Sequence, residues 1–194
     1  MVTLSADFSG LEGLSKKFEN TLKRRKDISQ LEAGIKEVLV EDVKLRFATA
    51  PLTNKGGLAH GNVYWAKMTP KWLKTHPERN GKPLLKDTGK LFNSLMVGND
   101  DSVFSITREG FEFGTKVSYG KDHQPPEIGT SIPLNLLQDE RVTEMFRSKG
   151  KLAPRPFLFI HEKLEEEIVD VINEFILTGE TRIRTKSNVK ELKE

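Results

Sequence analysis

Apolar residues recur at steps of three and four in several stretches of this chain and alternate in one. Phe8, Leu11, Leu14, Phe18 and Leu22 fall on one face of a helix over 8–25, which Asp7 or Ser9 can cap. Ile28, Leu31, Ile35, Val38, Leu39, Val43 and Phe47 keep that period over 28–49. Ser29 with Glu32 three residues on has the form of a capping box, and Pro51 ends the helix. Leu134, Leu137, Val142, Met145 and Phe146 predict a helix over 134–148. Leu164, Ile168, Val171, Ile172 and Phe175 predict the last helix, over 160–177, stopped by Gly179. The alternation lies between these: Val103, Phe104 and Ile106, then Arg108-Glu109-Gly110, then Phe111 and Phe113. It predicts a β-hairpin with Gly110 in its turn and one buried face.

The rest is less regular. Asp87 or Thr88 can cap a short helix over 88–95 that turns Leu91 and Leu95 inward. Lys116–Tyr119 suits a short extended segment, and Pro125, Pro126, Gly129 and Pro133 break up 125–133. Pro154–Ile160 is an apolar run held extended by prolines on both sides of Arg155, suited to an edge strand before the last helix. Residues 51–83 carry Pro51, Pro70, Pro77 and Pro83 with Gly56, Gly57, Gly61 and Gly81, and read as one long irregular loop. Within it Thr69-Pro70 has the form of an N-cap and first helical position, which predicts a turn of helix around Lys71–Lys74. Trp65 and Trp72 sit in this loop beside Tyr64. They suit either a protein interface or completion of the core. The organisation that results is an N-terminal helical extension (1–27), a domain (28–177) and a polar C-terminal tail (178–194).

Composition narrows the function classes. The 194 residues are 36% hydrophobic and 30% charged, as for one soluble domain with extensions. No window approaches the roughly 18 apolar residues of a membrane span, and the N-terminus lacks the pattern of a secretion signal. The absence of cysteine removes disulfides and thiolate metal sites and fits assembly in a reducing cytoplasm. The net charge of +3 is unevenly spread. Residues 50–99 hold eight Lys/Arg against two acidic residues, whereas 100–194 hold fourteen against eighteen. The last helix is strongly acidic on its polar face, through Glu162, Glu165, Glu166, Glu167, Asp170 and Glu174. The basic run Lys23–Lys26 fits a helix C-terminus.

Catalytic patterns are missing. His161-Glu162 is followed by Glu165 where a zinc-protease helix needs its second histidine. Gly81-Lys82 and Gly89-Lys90 lack the glycine spacing of a phosphate loop. Asp87-Thr88-Gly89 matches an aspartic-protease tripeptide, but Lys86 precedes it in place of an apolar strand. No metal, cofactor or catalytic residue is expected, and the chain reads as a non-enzyme.

Four short signatures remain. They are Trp65-Ala66-Lys67-Met68-Thr69-Pro70; Leu85, Thr88, Gly89, Leu91 and Ser94; Gly114-Thr115 with Tyr119 and His123-Gln124; and Pro154-Arg155-Pro156-Phe157-Leu158. In content and order they resemble the phage virion-morphogenesis family, the Mu-type tail-completion or neck proteins. The likeness spans about residues 28–177. It departs where Pro125-Pro126 follow His123-Gln124 in place of a glycine, and where Gly120 follows Tyr119 in place of the commoner alanine. The resemblance implies an α+β fold, with long N-terminal helices and a C-terminal helix packed on a small antiparallel sheet. It implies a structural virion protein in the neck or tail, assembled in the host cytoplasm, that joins the tail to the head connector. The expected partners are copies of itself in a ring, hexameric in related proteins and surrounding the DNA channel. Others are connector or portal-side neck proteins and tail tube, terminator or sheath proteins. The candidate assembly contacts are Trp65, Lys71, Trp72, Lys74, Tyr119, His123, Gln124, Arg155, Phe157, Arg182 and Arg184. Arg155 suits a bidentate carboxylate contact or a staple within the chain. Thr181–Thr185 alternates and can add as a strand to a neighbour's sheet. The alternative is a basic nucleic-acid-binding module built on the 50–99 segment and its tryptophans.

Overall fold

A computed structural model of the protein describes residues 2–7, 28–96, 98–106, 110–124 and 155–181. The helices expected at 8–25 and 134–148, and the tail from Arg182 onward, lie outside the described residues.

Helix α1, Ser29–Ala48, follows the periodicity that predicts it and buries Leu31, Ile35, Leu39, Val43 and Phe47. Its start differs from the expected capping box. Ile28 takes the cap position without a side-chain bond, because Ser29 is already helical. Two polar residues, Asp42 and Arg46, lie in phase with the apolar stripe and are buried with it. The C-terminal helix, Glu162–Thr178, buries Leu164, Ile168, Ile172 and Phe175 and ends at Gly179 with φ 83°. It packs along α1 at close range. A Cβ on Gly34 would lie 2.9 Å from Val171 Cγ1 and 3.0 Å from Thr181 Cβ. Thr181 Oγ1 donates to Gln30 O at 2.7 Å and ties the end of that helix to the start of α1.

The alternating segment forms the hairpin expected of it, β4 (Ser102–Ile106) and β5 (Gly110–Thr115). Gly110 is the first residue of β5, where it pairs with Asp7. Phe104 and Phe113 face each other across the ladder with ring centroids 6.4 Å apart. A third strand, β1 (Val2–Asp7), adds antiparallel to the other side of β5, giving the order β1-β5-β4. Val2–Asp7, within the stretch read from the sequence as an N-terminal helical extension, therefore supply an edge of the domain's sheet.

Residues 51–83 are more regular than a loop. They form a small hairpin, β2 (Gly57–Ala59) with β3 (Val63–Trp65), then helix α2 (Pro70–Thr75) and a 3-10 turn at Pro77–Arg79. Thr69 caps α2 as its sequence predicts, accepting from Trp72 N at 3.2 Å. Thr53 ties the segment together. Its N–H donates to Lys82 O, its hydroxyl to Arg79 O, and its carbonyl accepts from Met68 N. Short helix α3, Lys90–Asn93, is capped by Gly89 with φ 75° rather than by Asp87 or Thr88. Thr88 Oγ1 accepts from Lys90 N, and Leu91 and Leu95 face inward as expected. Residues 118–123 form a 3-10 turn, not an extended segment. The 155–160 run pairs with no strand among the described residues. The fold is α+β, with the Glu162–Thr178 helix (α4) and α1 enclosing one core with the sheet.

β1 passes so close to β5 that only glycine fits at position 114. A Cβ there would lie 2.6 Å from Thr3 Cα and press on Val2 O. Gly114→Ala is expected to cost about 1–3 kcal/mol in urea unfolding, by forcing β1 off the sheet. A variant as stable as the parent would contradict the β1–β5 pairing.

Candidate functional site

The four signatures meet. Trp65 Nε1 donates to Pro156 O at 2.9 Å, which joins the first to the last. Arg155 returns the contact: its Nε donates to Ala66 O at 2.9 Å, and its Nη2 reaches Lys67 O and Met68 Sδ. Arg155 N donates to His123 O at 2.8 Å, which brings in the third signature. Thr115 Oγ1 donates to Ser94 Oγ at 2.7 Å, and Ser94 Oγ to Leu91 O at 2.7 Å, which couples the third to the second. Segments as far as 91 residues apart are thus linked, mostly by side chains that bond to backbone or to one another.

They surround a cavity of about 330 Å³. One wall is Leu84, Leu85 and Asp87–Leu91, from the second signature. Tyr119 and His123 come from the third, Arg155 from the last and Met68 from the first. Thr53, Trp72 and Arg79 complete it from the 51–83 segment. At its rim Arg79 Nη1 lies 3.4 Å from Asp87 Oδ1. The Asp87 side chain is 74% exposed, so this pair is screened and contributes little. An exposed aspartate with an arginine partner is not the environment of a protease carboxylate.

The expected assembly contacts divide into two groups. Trp65 and Phe157 are fully buried and Arg155 is 2% exposed. They do not reach the surface: Phe157 packs against Phe47, and Trp65 and Arg155 donate to backbone carbonyls of other segments, the core and staple roles the sequence left open for the latter two. Lys71 and Lys74 are exposed on α2, and Tyr119 is 40% exposed at the cavity. Trp72 is half-buried, with His76 stacked on its ring at 4.3 Å. Arg182 and Arg184 lie outside the described residues. His123 and Gln124 fall between the groups. His123 Nδ1 and both amide atoms of Gln124 are buried without a hydrogen-bond partner among the described residues, as is Arg79 Nε at the cavity wall. Burial, then the nearby Arg155 charge, lowers the His123 pKa to about 4, with Asp122 opposing the shift.

Sequence reasoning missed a buried polar cluster apart from this cavity. Asp42, Arg46, His60 and His161 meet at the junction of α1, the β2–β3 turn and the start of α4. One signal was present: Asp42 and Arg46 occupy apolar-phase positions four residues apart on α1.

Among known proteins, the chain matches no family model, no curated protein and no solved structure.

His123 is neutral in the folded protein and charges in the unfolded chain below about pH 6.5. Its penalty is therefore absent above pH 6.5, grows as the pH falls, and is complete near pH 4. Between pH 7 and pH 5 it is expected to remove about 1–2 kcal/mol of stability. Urea unfolding at the two pH values checks this, with His123→Gln losing that part of the slope. A His123 imidazole that titrates near 6.5 by NMR would contradict it.

Proposed function

We propose that this chain is a structural component of a phage particle. It acts by assembly, in the neck or at the end of the tail, and not by catalysis. The observation that supports this most is the interlocking of the four signatures. Residues that resemble the virion-morphogenesis pattern hydrogen-bond to one another instead of lining a reactive centre. A pattern of that kind maintains a shape, and shape is what an assembly subunit contributes.

The surface charge fits the same reading. A ring closes through head-to-tail contacts, which need two different complementary surfaces on each subunit. α2 exposes Lys71 and Lys74 without an acidic partner in its first turn. α4 exposes Glu162, Glu165, Glu166 and Asp170. Between copies these faces have opposite sign, which favours one docking orientation and suppresses others. The nucleic-acid reading has less support. Trp65 is buried, and one face of Trp72 is covered by His76, so neither indole is a free stacking platform.

Mass photometry tests the proposal. The full chain, alone or with purified neck and tail complexes, is expected to form a discrete oligomer. Reversing Lys71→Glu with Lys74→Glu is expected to weaken that oligomer at least tenfold. Adding Glu165→Lys and Glu166→Lys in the same chain is expected to restore much of it. A protein that stays monomeric and joins neither complex would overturn the proposal.

A further inference from the structure

Three donor atoms from distant parts of the chain converge. His161 Nε2 lies 2.8 Å and His60 Nε2 3.2 Å from Asp42 Oδ1. All three atoms lie within 4.8 Å of one another. No spacing in the sequence announces them. Asp42 belongs to α1, His60 to the β2–β3 turn, and His161 is the N-cap of α4.

The fold fixes each donor. Asp42 is 5% exposed, and its other oxygen accepts from Arg46 Nη2, which leaves Oδ1 to the histidines. Outer partners of this kind orient carboxylates that bind metals. His60 is held through its backbone: its N–H donates to Thr49 Oγ1 at 2.9 Å, and its carbonyl accepts from Arg46 Nε at 3.3 Å. Gly61 then brings the turn against His161. Its φ is +81°, and a Cβ there would lie 2.8 Å from His161 Cδ2. The two imidazoles meet edge to face with centroids 5.3 Å apart.

The two contacts differ in kind. His161 Nε2 hydrogen-bonds to Asp42, whereas the His60 contact is a separation without a hydrogen bond. Ligands about 2.0–2.2 Å from a tetrahedral zinc ion stand about 3.3–3.6 Å from one another. His60 and Asp42 are close to that spacing already, at 3.2 Å. His161 has to withdraw by about 0.5 Å as an ion takes the place of the proton between it and Asp42.

We propose that Asp42, His60 and His161 bind a first-row transition dication, Zn²⁺ foremost, through two imidazole nitrogens and one carboxylate oxygen. Two imidazoles select against Mg²⁺ and Ca²⁺, which take oxygen ligands. The His60 side chain is 25% exposed, so the fourth position opens to water. The ion ties the β2–β3 turn and the start of α4 to α1. It displaces one native contact. His161 Nδ1 accepts from Leu164 N at 3.3 Å, and a neutral ring that binds through Nε2 carries its proton on Nδ1, so this long cap bond opens. The charges of Arg46 and Lys163 weaken the site, and Glu162 and Glu165 in the first turn of α4 offset them.

Isothermal titration of the full chain with Zn²⁺ tests the site. One ion per chain is expected at pH 7.5, with Kd below about 10 μM. His60→Gln is expected to weaken binding at least tenfold. His76→Gln, at the exposed end of α2, is expected to leave it unchanged. Histidine side-chain NMR should show the His60 and His161 rings bound through Nε2, and the Leu164 amide signal should move with them. The thermal unfolding midpoint should rise with Zn²⁺, and rise less in His60→Gln. Three results would overturn the assignment. They are no binding at about 100 μM Zn²⁺, a His60→Gln variant that binds as tightly as the parent, and a bound ion that leaves both ring signals in place.

Discussion

The fold depends on burying a stretch of chain that has no secondary structure of its own. Residues Arg155–Phe159 are all buried, yet none belongs to a helix or strand. Such a backbone leaves water without a ladder to join, so its polar groups need individual partners. Those partners are long side chains from distant parts of the sequence. Trp65 takes Pro156 O and Arg46 takes Phe157 O, while Arg155 spends its guanidinium on carbonyls of 66 and 67. The Arg46 guanidinium also lies 3.8 Å over the Phe159 ring. Burial lowers the Arg46 pKa to about 10, with Asp42 opposing the shift, and that leaves it charged at neutral pH. Each of these bonds satisfies a group whose orphaning would cost about 1–3 kcal/mol.

This arrangement explains what was legible in the sequence. α1, α4 and the β4–β5 hairpin repeat apolar residues for long enough to declare their period, and they lie where the period puts them. β2 and β3 have three residues each, too few for any alternation to show. β1 was hidden for another reason: its place is set by the absence of a side chain at Gly114, on the partner strand. The signatures were legible as a set, but their roles were not. Arg155 between two prolines has the look of an exposed contact until Ala66 and Met68 are seen to surround it. The Asp42 cluster needs tertiary structure, because its two histidines are about a hundred residues apart in the chain.

In the proposed assembly the two layers of the molecule divide the work. The interior network fixes the cavity wall and the angle between α1 and α4. The outer charges, basic on α2 and acidic on α4, are left to meet neighbours. The Arg46 side chain lies between the layers, since it reaches from α1 to the carbonyl of Phe157.

The central claim is that the signature residues hold the fold and are not themselves the contacts. The urea unfolding midpoint of Arg155→Met tests this most directly. Removing the guanidinium takes the Arg155 donor from the buried carbonyl of Ala66 and empties a buried site, so a loss of about 3 kcal/mol is expected. A variant that matches the parent in stability and fails only in assembly would contradict the claim and return Arg155 to the surface between subunits.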